Sequence, residues 1–329
     1  MDDVYKEITD KIITAMEAGA VEFQMPWHRA AATGRPVNAV TGAKYNGVNV
    51  IALWAEAQAK GYTSPEWATY RQWLEIGAQV RKGERSTSCV KVLTFAARDD
   101  ENDADDDAQE DGERVRLRSK RFALFNAAQV DGYTPKPTTP PRQGGGFEMI
   151  EEAEAFLSRS GADIRHGGSR AFYSPAQDYI ALPNKSDFFG SKFSSPAESY
   201  YSTALHELTH WTGHASRLDR AEGMKNRFGS QGYAMEELVA ELGAAFLCAD
   251  LGVSVDPRLD HAAYLQSWLS VLKDDSRAIF TAASKAKTAA QWLHEHTGAD
   301  MRRELGTAAL AAAVTEGRAA VSPAPVNAL

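Results

Sequence analysis

The sequence predicts an α+β protein of two domains, a small N-terminal α+β domain and a second domain whose C-terminal half is mostly helical. Three observations favour this class. Two segments with strand character, at 88–96 and 115–126, lie among helical patterns in the first 132 residues. A run rich in proline, threonine and glycine occupies 133–146, and helical spacing of apolar residues dominates beyond 195. With 329 residues, the chain is long enough for each domain to bury a core.

In the N-terminal domain, apolar spacing predicts helices at 4–18 and 48–60. The density of glycine, proline and asparagine between them, in 26–47, predicts loops and turns. A further helix is expected to begin at Ser64-Pro65, because serine is a good N-cap and proline fits the first helical position, and to run to about Glu75. The two strands are expected to pair as a hairpin.

The tip of that hairpin is an acidic run at 99–113, which holds ten acidic side chains and no basic one. This run dominates the net charge of −8 of the whole chain. Outside it, residues 1–132 carry seventeen basic and eleven acidic side chains, a net charge of +6. We therefore expect a modestly basic domain that is interrupted by a disordered acidic loop.

Aromatic and basic side chains alternate in the middle of this domain. Stacking platforms combined with cations that follow a phosphate backbone are what sequence-tolerant binding of single-stranded nucleic acid requires. The candidate DNA-contacting residues are Trp67, Tyr70, Arg71, Arg81, Lys82 and Arg85. The alternative is that most of the aromatic residues belong to the core, because Trp and Tyr are large and usually well buried.

The sequence gives no support to a membrane protein or to a disulfide-stabilised one. No apolar run approaches the roughly 20 residues that span a bilayer, and the acidic start Met-Asp-Asp differs from the basic start of a signal peptide. Cys89 and Cys248 lie far apart in unrelated contexts, so neither a disulfide framework nor a thiolate zinc site is indicated. We expect a cytoplasmic protein without a membrane partner.

The second domain is predicted to start with a helix at 147–160. Three short strands are expected after it, at 162–166, 170–173 and 179–182. The last of them is expected to be the edge strand beside a cleft, where a strand edge can pair with an extended peptide. Helices at about 259–272 and 276–296 are expected to close the fold, and an alanine-rich tail at 301–329 is expected to be mobile.

The chemical signal of the second domain lies on a helix predicted from Ser195 to Gly213, with a Ser-x-x-Glu capping box at its start. His206 and His210 are four residues apart and share one face of this helix, so both imidazoles can bind one tetrahedral Zn²⁺. Glu207 is rotated by about 100° from His206 and stands beside the metal, where it can act as the general base toward water. This His-Glu-x-x-His pattern is the arrangement of zinc peptidases.

A third ligand is expected from a second helix at 233–247. Glu237 and Glu241 are four residues apart and share a face, whereas Glu236 has no carboxylate at that offset. The pair resembles that of thermolysin-like zincins, in which a glutamate ligand is followed four residues later by a carboxylate that orients a zinc-bound histidine. We expect Glu237 as the third ligand, Glu241 behind a ligating histidine, and Glu236 toward solvent or the loop at 217–232.

Three protein ligands leave a fourth coordination position open, which is typical of a catalytic metal site. We therefore expect a zinc-dependent metallopeptidase, with another divalent metal as the alternative to Zn²⁺. The competing interpretation is two helices whose histidines and glutamates merely lie on solvated faces.

Four separated blocks, at 67–72, 77–85, 206–214 and 233–241, resemble ArdC-type antirestriction proteins, and the N-terminal domain is also similar to the leading part of some plasmid primases. The resemblance covers about residues 1–300. It implies a single-stranded-DNA-binding domain at 1–132, joined by the 133–146 linker to a zincin-like metallopeptidase domain at 147–300. It also implies carriage by mobile DNA and protection of incoming DNA from restriction. The acidic run is not expected of every member.

Two other functions fit the same residues. A DNA-binding protein can carry a purely structural metal that ties the two helices together. A regulatory metallopeptidase can cleave a host protein, such as a restriction enzyme subunit. Replacement of Glu207 separates a catalytic metal from a structural one.

Overall fold

The computed structural model describes residues 2–19, 25–31, 33–96, 107–110, 113–137, 147–191, 194–220, 230–255 and 261–298. The predicted tail lies outside the described residues, as do most of the acidic run and residues 138–146 of the predicted linker.

The N-terminal region is a mixed α+β unit. Its helices are α1 (Asp2–Gly19), α2 (Pro26–Ala31), α3 (Val48–Lys60) and α4 (Tyr70–Glu75). Its strands are β1 (Val37–Asn38), β2 (Glu66–Ala68), β3 (Gln79–Val80), β4 (Thr87–Ala96), β5 (Asp107–Glu110), β6 (Glu113–Asn126) and β7 (Val130–Asp131). The helices predicted at 4–18 and 48–60 and the strands predicted at 88–96 and 115–126 are confirmed.

The main sheet is built on the predicted pair of long strands. β4 and β6 are antiparallel in one continuous register along the whole of β4. The sheet extends beyond β6 to β2, which is antiparallel to it, and β1 pairs with β2 in parallel. β3 and β7 form a separate two-stranded sheet. The α3 helix packs on the main sheet through a small apolar cluster of Leu53, Trp67, Cys89 and Leu124.

Part of the acidic run forms a strand instead of the predicted disordered loop. β5 pairs with β6 in an antiparallel register that sets Asp107 opposite Arg116 and Gln109 opposite Arg114. The prediction is therefore wrong for Asp107–Glu110. The physical reason is that β6 offers backbone groups on the side away from β4, and a further strand can pair with them.

Two further N-terminal segments differ from the prediction because tertiary contacts override local propensity. Residues 26–31, which were expected to be a loop, form α2, and this helix packs against the second domain. The helix expected from Ser64 begins only at Tyr70, with Thr69 as its N-cap. The residues before it form β2, which is fully buried between its neighbours β1 and β6.

The second domain is mostly helical in its C-terminal half, as predicted. Its helices are α5 (Glu151–Arg159), α6 (Pro196–Thr212), α7 (Gln231–Leu251), α8 (His261–Asp274) and α9 (Ala278–Thr297). Its strands are β8 (Asp163–His166), β9 (Phe172–Ser174) and β10 (Tyr179–Leu182). Among the residues that the structure describes, no helix is long and apolar enough to cross a membrane.

The edge strand of this domain beside the cleft is β9 and not β10. β10 lies in the centre of the small sheet, parallel to β8 on one side and antiparallel to β9 on the other. The prediction that residues 179–182 form the edge is therefore wrong, because both sides of that strand are already paired. An extended peptide beside the cleft would have to pair with β9.

The hydrophobic core crosses the boundary between the two regions. The α1 helix contacts α8, α2 contacts α7, and α3 contacts α9. One continuous cluster contains buried side chains from both regions, among them Ile8, Trp27, Trp54, Phe246 and Ile279. The hydroxyl of Thr9 also donates to the Ser276 carbonyl at 2.7 Å. The two regions are thus packed directly on each other.

A buried ion network reinforces this junction. The Asp250 carboxylate of α7 accepts from Arg35 Nη1 at 2.9 Å and from Lys44 Nζ at 2.6 Å, and it contacts His294 Nε2 at 3.1 Å. Burial acts to raise the pKa of Asp250, but the His294 contact and the charges of Arg35 and Lys44 outweigh burial and hold the pKa below its usual range. Asp250 therefore stays ionised between the two regions.

Candidate metal centre

The His-Glu-x-x-His pattern lies on α6, which is buried along most of its length. The helix begins with the predicted capping box: Ser195 Oγ accepts from the Glu198 N–H at 3.3 Å, and the Ser195 N–H donates to Glu198 Oε2 at 2.9 Å. The other carboxylate oxygen of Glu198 accepts from the Ser254 N–H at 3.1 Å. The start of α6 is therefore tied to the chain that follows α7.

The α6 and α7 helices approach each other closely at Gly243. A Cβ atom at this position would lie 2.4 Å from Cγ2 and 2.9 Å from Oγ1 of Thr209. Thr209 is fully buried, and its hydroxyl donates to the Leu205 carbonyl at 2.8 Å. The missing side chain lets the helices pack closely enough for carboxylates of α7 to reach the histidines of α6.

We expect Gly243→Ala to lower the free energy of unfolding by about 1–3 kcal/mol, as overpacking of a close contact does, and to weaken metal binding. Urea unfolding and zinc titration measure the two effects. Thr209→Ser in the same background removes the nearest atom, Cγ2, and should restore part of both losses. Wild-type stability and zinc affinity in Gly243→Ala would contradict this account of the helix spacing.

Three side chains from the two helices converge. His206 Nε2 lies 3.6 Å from Glu237 Oε2, and His210 Nε2 lies 3.6 Å from Glu237 Oε1. One potential ligand atom from each of the three lies within 4.8 Å of the other two. Ligands at about 2.0–2.1 Å from a tetrahedral zinc ion are about 3.4 Å apart. The three side chains therefore fit around one divalent cation.

Each histidine has a further carboxylate behind it. Glu241 Oε2 lies 3.5 Å from His206 Nδ1, and Glu236 Oε1 lies 3.3 Å from His210 Nδ1. The Arg220 guanidinium in turn donates to both oxygens of Glu236, at 3.1 and 3.2 Å. Carboxylates in these positions favour a proton on Nδ1 and leave each Nε2 free to bind a metal.

The position of Glu236 corrects the sequence prediction. This side chain is buried against His210 and does not point toward solvent. Glu236 and Glu237 are about 100° apart on the helix, yet two histidines one turn apart present enough surface for both. The prediction did not include Arg220, which is buried beside Glu236. The polar loop sequence around Arg220 contains no pattern that predicts this burial.

The electrostatics of the site favour a cation. Burial acts to raise the pKa of the Glu237 carboxyl, but the imidazoles of His210 and His206 outweigh it and hold this pKa well below its usual range. Burial acts to lower the pKa of His210, but the carboxylates of Glu237 and Glu236 raise it to about 10. Without a metal, a proton on the histidine thus compensates the buried negative charge that a divalent cation can compensate instead.

A cavity of about 200 Å³ opens over these residues. Its lining includes the three converging side chains together with Glu207, which places the predicted general base beside them. The other walls come from β9 and from the helices α7 and α8, through Ala171, Phe172, Tyr173, Pro175, Tyr233 and Tyr264. The hydroxyls of the last two tyrosines lie 3.2 Å apart.

The strand β9, which lines the cavity, is held by hydrogen bonds and an ion pair to the residues at the end of α6. Tyr173 donates its hydroxyl hydrogen to Asp178 Oδ1 at 2.8 Å, and Arg217 forms an ion pair with the same carboxylate. Asp178 adopts a positive φ of 52° in the turn between β9 and β10. The Arg217 guanidinium also lies over the Trp211 ring at 3.8 Å. These contacts hold the edge strand beside the cavity.

The predicted DNA-contacting residues are only partly at the surface. Trp67 is 1% exposed and lies in the small cluster beneath α3, so a base cannot stack on it. Its assignment to DNA contact was wrong, because composition does not separate a stacking platform from a core aromatic. The other five candidates are exposed: Tyr70, Arg71, Arg81, Lys82 and Arg85.

The fold and the site together define a zincin-like domain, and residues 151–285 match the zincin-like metallopeptidase family. Residues 2–125 match the N-terminal domain of the anti-restriction factor ArdC. The chain belongs to the ArdC antirestriction family, as its relatives show over most of its length.

The protein y4eC of Sinorhizobium fredii is 46% identical over 312 residues, which cover 93% of this chain and 96% of that protein. The DNA primase TraC of Escherichia coli is 40% identical over 295 residues, but the match spans only 26% of the primase. The metal-free crystal structure of the antirestriction ArdC protein from the R388 plasmid is 41% identical with a TM-score of 0.71, covering 90% of this chain and 98% of that one. Its Mn(II)-bound structure is 39% identical with a TM-score of 0.68, covering 89% and 97%.

Proposed function

We propose that this protein protects incoming DNA from restriction by binding single-stranded DNA through its N-terminal region and by hydrolysing peptide bonds at the site between α6 and α7. The observation that carries the hydrolytic part is the convergence of His206, His210 and Glu237 at the cavity that Glu207 also lines. A purely structural metal would not need a carboxylate and an open cavity beside its ligands.

His206, His210 and Glu237 would hold the metal. We propose zinc, because two histidines and one glutamate with an open position suit catalytic Zn²⁺. Imidazole and carboxylate ligands also accept Mn²⁺. When bound, the cation supplies Lewis-acid polarisation to the amide in the cavity.

The chain itself supplies the proton transfers. Glu207 accepts a proton from water in the cavity and returns it to the leaving amine. Burial, the hydrogen bond with Tyr264 and the neighbouring Glu237 raise the pKa of Tyr233 above its usual range, so this phenol stays protonated. Tyr233 can therefore donate a hydrogen bond to a carbonyl oxygen as negative charge develops on it, with the Tyr264 hydroxyl beside it.

Glu207→Gln tests the catalytic role. We expect this variant to keep bound metal at the wild-type ratio and to lose about 100-fold or more of its cleavage activity, because general-base catalysis typically contributes at least that factor. The measurements are metal content, cleavage of purified restriction enzyme subunits, and transfer of unmodified plasmid DNA into a restricting host. Glu295→Gln, an exposed change on α9, is the matched control.

Two results would contradict the proposed hydrolytic function. If Glu207→Gln protects DNA fully while His206→Ala does not, the metal is structural and the protein acts by binding alone. If both variants protect DNA, the metal site has no part in protection.

The DNA-binding part of the proposal rests on an exposed surface at α4. Tyr70 and Leu74 are each 47% exposed and Ile76 is 38% exposed, which leaves an apolar face open to stacking bases. Gln79 Nε2 donates to the Tyr70 hydroxyl at 3.0 Å and fixes the ring. Exposed cations lie next to this surface in the chain, at Arg71, Arg81, Lys82 and Arg85.

The acidic run should weaken DNA binding by repulsion. We expect a full-length variant in which every Asp and Glu of 99–113 becomes Asn or Gln to bind single-stranded DNA at least about threefold more tightly at low salt, with the gain shrinking as salt rises. This design keeps the length of β5. Fluorescence anisotropy with an oligothymidylate across a salt series measures it. Equal or weaker binding at low salt would mean that the run does not compete with DNA.

A further inference from the structure

The N-terminal region reaches the back of the metal site through α2. The indole N–H of Trp27 donates to Glu241 Oε1 at 3.1 Å, and His28 Nε2 lies 2.5 Å from the same oxygen. Trp27 and His28 are 0% and 1% exposed. Both belong to the part of the chain that matches the ArdC N-terminal domain, whereas Glu241 and His206 belong to the zincin-like part.

The hydrogen bonds around His28 show which groups are donors and which is the acceptor in this contact. The Met25 N–H donates to His28 Nδ1 at 3.1 Å, so Nδ1 is an acceptor and the ring proton is on Nε2. His28 and Trp27 therefore both act as donors to Glu241 Oε1. The other carboxylate oxygen, Oε2, faces His206 Nδ1 at 3.5 Å.

The two histidines of the site are thus supported from different places. Glu236, behind His210, is held by Arg220 of the zincin-like domain itself. Glu241, behind His206, is held by Trp27 and His28 of the N-terminal region. His28 lies 213 residues before Glu241 in the chain.

We infer that Trp27 and His28 are positioning residues of the metal site, which hold Glu241 so that it orients His206 toward the metal. The inference rests on the proposed ligand set of the site. It makes the N-terminal region a structural part of the metal centre, in addition to its contact with DNA. Carboxylates that orient a ligating histidine typically change metal affinity by about 10–100-fold when lost.

The test is zinc titration of the full chain in competition with a chelator, together with the melting temperature of the metal-free protein. We expect His28→Leu, which removes the donor at similar volume, and Trp27→Phe, which removes only the indole N–H, each to weaken zinc binding by about 10–100-fold. His28→Gln places an amide N–H near the former Nε2 position and should restore most of the affinity. Trp27→Phe keeps the inference testable if His28→Leu does not fold.

Thr9→Val is the matched control, because it removes a buried hydrogen bond between the same two regions far from Glu241 in the sequence. It should lower the melting temperature without changing zinc affinity. If Trp27→Phe and His28→Leu behave like Thr9→Val, the contact only holds the regions together and the inference is overturned. If His206→Ala itself binds zinc like the wild type, the proposed ligand set has failed, which is a separate result.

Discussion

Glu237→Ala is expected to reduce bound zinc to near zero, a loss beyond the roughly 100-fold typical of a carboxylate behind a ligand. Glu237 is the side chain that faces both histidines, with one carboxylate oxygen 3.6 Å from each Nε2. Its removal would leave only two of the three proposed ligands, both on one helix, which is too few for a tight zinc site. Metal analysis after dialysis and zinc titration against a chelator measure the effect.

The zinc affinities of variants at Glu236 and Glu241 can be compared with that of Glu237→Ala. Glu236→Ala and Glu241→Ala should each weaken zinc binding by about 10–100-fold, because each removes the carboxylate behind one histidine. Glu295→Ala, on an exposed face, should change nothing. A larger loss in either neighbour than in Glu237→Ala would show that a different carboxylate binds the metal.

Asp250→Asn is expected to lower the free energy of unfolding by about 3–5 kcal/mol, because it leaves the buried Arg35 guanidinium without its counter-charge. Urea unfolding of the metal-free protein measures this loss. The matched control is Asp163→Asn, which breaks an ion pair with Arg165 whose side chains are both more than half exposed. The control should cost less than about 1 kcal/mol.

The difference in stability between the wild type and Asp250→Asn should also depend on pH in the acidic range. Because the folded state holds the pKa of Asp250 below its usual range, its contribution to stability is fully present above about pH 4, close to the usual aspartate pKa. That contribution is lost as the pH falls further toward the folded-state pKa. The stability gap between wild type and Asp250→Asn should therefore narrow below about pH 4. A gap that widens on acidification would contradict the assignment of Asp250 as an ionised partner.

The elements that could be predicted from sequence are those whose signals are local. The start of α6 follows from Ser195 and Glu198, and its end from Gly213. The shared face of His206 and His210 follows from helical phase, since residues four apart lie on the same side of a helix. These features need no knowledge of what packs against them.

The elements that could not be predicted depend on distant contacts. The α2 helix forms because it packs on α7, and β2 is a strand because it lies between β1 and β6. Arg220 behind Glu236, and α2 behind Glu241, come from segments without a periodic pattern. Trp67 shows the same limit, since its sequence context is equally compatible with core and surface.

The packing of α1 against the C-terminal part of the chain has a consequence for synthesis. Residues 2–19 leave the ribosome well before their partners in α8 and at Ser276 are made. At about 5–20 residues per second, the interval is roughly 15–50 s. During that time the apolar positions Ile8 and Ile12 lack part of the surface that buries them, which exposes the nascent chain to chaperones and to aggregation. A chain that stops before Ser276 never completes the packing of its own first helix.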